Sequence, residues 1–367
     1  MSSSASAELT AYGYATFGPS EKFKPHEFTR RAPGPNDVAI EIKYCGICHS
    51  DIHTARNEWR HTTYPCIPGH EIAGIVKAVG ANVTKFSVGD RVGVGCLVNS
   101  CRTCDECKES LEQFCPKATG TYNSLDTIHL AATGEKRMTY GGYSNLIVVD
   151  QDFVLRIPES IPLAEAAPLL CAGITLYSPL AHWKCGPGKR VAIVGCGGLG
   201  HLGIKIAAKM GAHVIALSQT LNKLDDMLKF GAAEAYATSD PSTFEKLNRS
   251  LDLIVNTVSA NIGYDQYIRL LKRDGTMVLV GAPENPTPIS SFSLISGRRS
   301  LAGSPIGGIR ETQEMLDFCA QHGISAQIEL INADQIDEAY ERVVRSNVKY
   351  RFVIDASTFG PKDQKAE

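Results

Sequence analysis

The amino-acid sequence predicts an α/β architecture in two parts, a compact mainly-β part and a doubly wound parallel sheet, and three observations carry that prediction. From Ala11 to about Gly95 the chain runs as short strand-forming stretches punctuated by turn residues. From Arg190 to Gly281 strand and helix patterns alternate, which is the signature of parallel strands joined by crossover helices. The chain has 367 residues, and at roughly 150 residues per domain that length accommodates two cores.

The mainly-β part reads strand by strand. Val38-Ala39-Ile40-Glu41-Ile42 alternates, Ile72–Val79 is rich in β-branched residues, and Arg91-Val92-Gly93-Val94 is a further short strand. Gly34-Pro35-Asn36-Asp37, Gly80-Ala81-Asn82 and Val88-Gly89-Asp90 supply the turns. The polar stretch Ser124–Arg137 reads as a surface loop, with strand resuming at Gly141-Gly142-Tyr143. After Ile157-Pro158 the texture changes to a helix over Leu163–Leu170. The parallel sheet then begins with strand Arg190–Val194 and continues through His213–Leu217, Leu251–Val255 and Gly275–Gly281, with a helix over Tyr264–Leu271. From Ser300 the pattern returns to loop, followed by an amphipathic helix Glu311–His322 and a closing strand Tyr350–Asp355. The tail Gly360–Glu367 is polar.

Composition narrows the functional classes. With 43% hydrophobic and 21% charged residues and a formal net charge of −2, the chain has no basic face that would select nucleic acid. Apolar runs such as Ala212–Leu217 are far shorter than the ~18 residues of a spanning helix. The N-terminus Met1-Ser2-Ser3-Ser4-Ala5 lacks a basic and apolar leader pattern, so a cytoplasmic location is expected. Twelve cysteines in such a chain point to metal or redox chemistry rather than a disulfide framework.

Two clusters concentrate that chemistry. Cys101, Cys104, Cys107 and Cys115 stand as C-x₂-C-x₂-C-x₇-C, a supply of thiolates suited to a closed tetrahedral zinc site that ties down a polar loop. On spacing alone an iron–sulfur cluster competes, since Pro116 follows the fourth cysteine. The second cluster is Cys48-His49-Ser50-Asp51-Ile52-His53 with Pro68-Gly69-His70-Glu71. Cys48 and His70 are ligand types that zinc prefers, and a catalytic zinc takes three protein ligands while leaving one position open. Asp51 and Glu71 provide the carboxylates that orient metal-bound imidazoles. Ser50 and His53 supply a hydroxyl and an imidazole to carry a proton. Cys171, beside Leu169 and Leu170, is the candidate third thiolate, although nothing in its local spacing distinguishes it from a buried structural cysteine.

In the second part, Gly195-Cys196-Gly197-Gly198-Leu199-Gly200 follows a strand and opens a helix, the context in which glycines allow a tight turn and close approach to a pyrophosphate. NAD-binding units place an acidic residue at the end of the second strand; here stand Ser218, Gln219, Thr220 and, a little further, Lys223. Hydroxyls and an ammonium accept a 2′-phosphate that a carboxylate would repel, so the sequence reads as NADP(H).

Taken in order, Cys48, His70-Glu71, the four-cysteine cluster, Cys171 and the glycine loop resemble the zinc-dependent medium-chain alcohol dehydrogenases. Pro168-Leu169-Leu170-Cys171-Ala172-Gly173, Gly197-Gly198-Leu199-Gly200-His201 and Lys349-Tyr350-Arg351-Phe352-Val353 look like the cinnamyl alcohol dehydrogenase branch, and in particular its bacterial NADPH-dependent aldehyde reductases. The resemblance implies a GroES-like catalytic domain over residues 1–165 and 305–367 around a Rossmann NADP-binding domain over 166–304. It implies two zinc ions per chain: a catalytic one on Cys48, His70 and Cys171 with Glu71 beside it, and a structural one on Cys101, Cys104, Cys107 and Cys115. It further implies cofactor contacts from Gly195, Gly197, Gly198, Leu199, Gly200, Val280, Gly281, Ala282, Ser304 and Ile306, besides Ser218 to Lys223. Ser50, Trp59, Cys96 and Ile306 are the implied substrate-pocket residues. Such proteins are usually homodimers paired through their nucleotide domains.

The implied reaction is reversible reduction of aldehydes to primary alcohols by NADPH, over a broad range of aromatic and aliphatic substrates. The other expectation within this chemistry is an NAD-preferring alcohol dehydrogenase acting in oxidation. A nucleic-acid-binding zinc ribbon is disfavoured, because Asp105, Glu106, Glu109 and Glu112 crowd the four-cysteine lobe. A non-catalytic nucleotide sensor is disfavoured by the intact ligand and Ser50/His53 sets. Plant lignin-pathway members carry a Trp where this chain has Gly120, so one aromatic wall of a dedicated cinnamaldehyde pocket is missing.

Overall fold

Two sheets, one predominantly antiparallel and one wholly parallel, organise the computed structural model, which describes residues 8–281, 283 and 285–360. The chain divides into two units: one runs through Cys171 and resumes at Gly308, and the other is Ala172–Gly307. The limits expected from sequence, at 165/166 and 304/305, fall a few residues before these.

In the first unit, the long strand Asp37–Gly46 is the centre of a seven-stranded sheet. Its beginning pairs antiparallel with Leu146–Asp150 and its last residues with Arg351–Asp355, while Ile72–Val79 lies along its other edge. Ile40 and Ile42 on this strand, and Phe352 and Ile354 on its neighbour, are essentially fully buried. This pairing puts three chain segments at one end of the sheet: the residues leaving Gly46, those entering Ile72, and Arg351. A 3₁₀ turn, Ala167–Leu170, packs on the same strands and ends at Cys171.

The second unit is a six-stranded parallel sheet in the order Glu234–Ala237, His213–Ser218, Arg190–Val194, Leu251–Asn256, Leu271–Leu279, Ser300–Gly303. The order reverses beside Arg190–Val194, so the loop after that strand sits at the switch point where such sheets bind ligands. Its core packs Ala192, Val194, Ile254, Ile268 and Met277, all at most 2% exposed.

Several elements differ from the sequence reading. The stretch read as surface loop contains helix Thr127–Thr133, whose N-cap Asp126 accepts the His129 N–H at 2.9 Å and whose C-cap Gly134 is left-handed. The helix read over Leu163–Leu170 is α-helical only at Leu163–Ala166, because Pro168 has no N–H to continue the ladder. Strand after the 141–143 glycine turn begins at Leu146, where pairing with Glu41 starts. The helix read to Leu271 stops at Ile268, since Leu271 already pairs with Leu251 as strand. Ser300–Gly303, read as loop, is the edge strand of the parallel sheet. No single helix among the described residues is long and apolar enough to cross a membrane.

Candidate active site

The end of the central sheet in the first unit gathers Cys48, His70, Glu71 and Cys171, whose ligand atoms all lie within 4.8 Å of one another. All four are buried. Cys48 caps helix His49–Ala55, His70 and Glu71 lead into strand Ile72–Val79, and Cys171 ends the 3₁₀ turn. Positions remote in sequence therefore meet because three strands of one sheet end together.

Asp51, fully buried, holds this arrangement. Its Oδ2 accepts the Cys48 N–H at 2.8 Å, and its Oδ1 accepts the Gly69 N–H at 3.1 Å and lies 3.2 Å from His70 Nδ1. With Nδ1–H donating to the carboxylate, His70 Nε2 is free to act as a ligand. Tyr143 donates to the same carboxylate at 3.5 Å and receives a hydrogen bond from Tyr340 at 3.2 Å. The Tyr122 ring stacks on His70, with centroids 5.7 Å apart.

Glu71 is tied to Arg351 by a buried ion pair. Its Oε1 takes the guanidinium, while Oε2 is buried with no hydrogen-bond partner and points at Gly46, where a Cβ would collide with it. An orphaned buried carboxylate oxygen among two thiols and an imidazole is a donor set suited to a divalent cation. The sulfurs tell the same story. A hydrogen bond from Cys171 pulls the Cys48 thiol well below its ordinary value and holds Cys171 well above its own, so the two share a proton that a cation can replace. Cys96 also hydrogen-bonds Cys171, which holds its thiol down. The residues present fit zinc.

The predicted proton-carrying pair is placed close by. Ser50 Oγ is 3.8 Å from Cys48 Sγ, and His53 Nδ1 pairs with Glu58 while its ring lies 5.2 Å from that of Trp59. Trp59 is 46% exposed, so it is available to a ligand rather than committed to the core.

The second group, Cys101, Cys104, Cys107 and Cys115, is equally tight but only Cys115 is buried. Backbone N–H groups aim at its sulfurs, from Cys104 to Cys101 at 3.3 Å and from Cys101 and Lys117 to Cys115 at 3.4 Å each. The Thr103 and Cys104 backbone N–H groups bring the Cys101 thiol down to about 5, which makes it a thiolate at neutral pH. Four sulfurs in that setting fit zinc as well.

In the second unit, Gly195, with φ +92°, begins the turn between strand Arg190–Val194 and helix Gly200–Lys209. A Cβ at Gly200 would collide with the Gly195 carbonyl, whereas one at Gly197 would meet open space. Gly197 is thus not required by side-chain packing, and the open space beside it admits a ligand close to the backbone. Ser218 ends its strand, and Lys223 caps helix Leu224–Lys229 near enough to counter the burial that pushes the Cys196 thiol up to about 11. Gln219 and Thr220 are exposed between them. Val280 and Gly281 follow strand Leu271–Leu279, both donating to the Asn256 carbonyl, and Ser304 follows the edge strand, donating to Leu279 at 3.1 Å. These residues, with the turn holding Leu199 and Gly198, share the carboxyl edge of the parallel sheet; Ile306 lies two residues beyond Ser304. Ala282 is outside the described residues.

Sequence reasoning missed Arg351, Tyr122, Tyr143 and Tyr340 as supports of the metal group. Asp51 was legible, because a carboxylate three residues from a candidate ligand is a known helper pattern. The others come from distant elements and carry no local signal.

Comparison with known proteins agrees with this geometry. Residues 34–159 match the alcohol dehydrogenase GroES-like domain, and residues 198–321 match the zinc-binding dehydrogenase domain. The chain is 57% identical over 349 residues to NADP-dependent alcohol dehydrogenase C of Mycobacterium tuberculosis, covering 95% of this chain and 99% of that one. It is 55% identical to aldehyde reductase YahK of Escherichia coli, covering 93% and 97%. Among solved structures, it is similar to a cinnamyl alcohol dehydrogenase of Helicobacter pylori complexed with NADP(H), at 45% identity, 96% and 100% coverage and a TM-score of 0.90. A cinnamyl alcohol dehydrogenase of Sorghum bicolor gives 42% identity, 96% and 99% coverage and a TM-score of 0.92.

Proposed function

Because this chain belongs to the zinc-binding alcohol dehydrogenase family, we propose that it is an NADPH-dependent oxidoreductase that reduces aldehydes to primary alcohols, reversibly and over a broad substrate range. The single observation that carries this is the buried Cys48/His70/Glu71/Cys171 group, a mixed sulfur, nitrogen and oxygen set rather than a closed thiolate cage.

Cys48, His70 and Cys171 would hold a zinc ion, which would supply Lewis-acid polarisation of a carbonyl moderated by two thiolates, and the glycine loop would hold the NADPH that would supply the hydride. The protein's own residues do the rest. Asp51 fixes the His70 tautomer and orients its ring. Arg351 anchors one Glu71 oxygen and leaves the other buried without a hydrogen-bond partner. Ser50, beside Cys48, gives its proton to the oxygen of the reduced substrate, and His53, backed by Glu58, returns a proton from solvent. Trp59 and Cys96, both in the unit that holds the metal group, are the proposed substrate contacts there. Gly120, in place of a bulky aromatic side chain, suits a broad range of aldehydes rather than one.

The 2′-phosphate of the cofactor is assigned to Ser218, Gln219, Thr220 and Lys223. The four-cysteine lobe takes the second, structural zinc. A cytoplasmic homodimer paired through the nucleotide-binding units completes the proposal.

The test is absorbance at the nicotinamide band with benzaldehyde and either NADPH or NADH, before and after a zinc chelator. NADPH is expected to be consumed much faster than NADH, with chelation stopping turnover. Lys223→Ala is expected to raise KM for NADPH about tenfold and leave that for NADH unchanged. Faster consumption of NADH would overturn the cofactor assignment, and turnover surviving removal of all zinc would overturn the metal one.

A further inference from the structure

One buried histidine has no part in the chemistry above. His201 immediately follows the last glycine of the Gly195–Gly200 turn and is 0% exposed, although histidine is seldom fully buried without a reason. It sits in the first turn of helix Gly200–Lys209. Its backbone N–H donates to the Gly197 carbonyl at 3.1 Å, and its ring Nδ1 lies 3.2 Å from that same oxygen. Its ring packs against Phe230, with centroids 5.7 Å apart, and the Lys205 ammonium lies 5.0 Å from the Phe230 centroid.

The imidazole is neutral. Burial pushes its pKa down to about 3, helped by Lys205 and more weakly by Lys223 and only partly opposed by hydrogen bonds to the Gly197 and Gly198 backbone. A helix N-terminus also disfavours an imidazolium. A neutral ring has one N–H, and because the Gly197 carbonyl can only accept, Nδ1 carries it. His201 therefore acts in this loop through a hydrogen bond and not through charge.

That bond bears on what the loop can bind. A pyrophosphate is held by backbone N–H groups, and a carbonyl oxygen turned toward it repels it. Gly197 is free to turn, since it has no side chain and open space around its Cβ position. Two donors from one residue on a single carbonyl oxygen restrain that freedom.

We propose that His201 is a positioning residue for the cofactor: its Nδ1–H pins the Gly197 carbonyl to the helix side, so that the loop presents N–H groups to the pyrophosphate before NADPH binds. This rests on the reading of the loop as the NADPH site. The role is preorganisation, so it acts on affinity and leaves the hydride step alone.

The experiment compares wild type with H201N, H201Q and H201F as full-length, zinc-loaded enzyme. Asn places an amide N–H close to Nδ1; Gln places it nearer Nε2; Phe keeps the bulk and has no donor. Binding of NADPH and of 2′-AMP, which has no pyrophosphate, is measured by calorimetry, alongside kcat at saturating NADPH. H201F is expected to weaken NADPH about tenfold, about 1.4 kcal/mol, to leave 2′-AMP within about twofold, and to leave kcat within about twofold. H201Q should behave like H201F and serves in its place if H201F does not fold. H201N should recover most of the NADPH affinity. Wild-type affinity in H201F or H201Q, parallel weakening of NADPH and 2′-AMP, or no recovery in H201N would overturn the inference alone. Failure of the wild type to bind NADPH would overturn the cofactor assignment and this inference with it.

Discussion

The two ligand groups of this protein reach the same tightness by opposite routes. In each, the candidate ligand atoms lie within 4.8 Å of one another. Cys101, Cys104, Cys107 and Cys115 come from one short loop whose helical turns, Asp105–Lys108 and Glu112–Phe114, are too brief to hold themselves. Their sulfurs are gathered by backbone N–H groups, and three of the four residues are only partly buried. Cys48, His70, Glu71 and Cys171 come from strand ends and a 3₁₀ turn far apart in the chain, and the sheet has already packed them before any cation is considered. The loop thus needs its metal to be a structure, whereas the sheet can keep its shape and use the metal for chemistry.

Substitutions in the two groups should separate these roles. The largest effect is expected from Cys48→Ala: kcat/KM falls at least about 10⁴-fold, or ~5.5 kcal/mol, while circular dichroism and the four-cysteine zinc are retained. An active Cys48→Ala enzyme would end the distinction. Arg351→Met leaves the buried Glu71 carboxylate unpaired and is expected to destabilise the first unit by about 3–5 kcal/mol in urea unfolding. A loss below ~1 kcal/mol would mean that the preassembled group does not depend on that ion pair. Asp51→Asn should weaken zinc at the Cys48 group about 10–100-fold in a competitive chelator titration and leave the other ion alone. Cys104→Ala should reduce bound zinc from two ions to one and lower Tm by about 5 °C, with most of kcat preserved. A collapse of kcat at unchanged Tm would reverse the assignment of the two sites.

The same contrast explains what was legible. The four-cysteine cluster could be read in full because its ligands are neighbours in sequence, so spacing alone predicts the group. The glycine loop was legible for a related reason: strand, turn and helix are consecutive, and Gly195, Gly197 and Gly200 mark the turn locally. Asp51 was legible because it lies within the helix that Cys48 caps. Helix Thr127–Thr133 was missed because its seven residues, set within a polar stretch, are too few to show a helical period, although its Asp126 and Gly134 caps were visible. Strand Ser300–Gly303 was missed because an edge strand of four residues has too short a pattern to detect.

By itself the sequence determined the fold class, the alternating strands and helices of the second unit, the cysteine lobe and the residue types of the candidate site, because those depend on local periodicity and residue type. Only the tertiary structure brought Cys171 to Cys48 and His70, set Glu71 against Arg351 across the sheet, and turned His201 back onto Gly197. Those are contacts between a side chain and a partner set by strand register and helix entry, and register is a property of how the whole sheet packs rather than of any window of the chain.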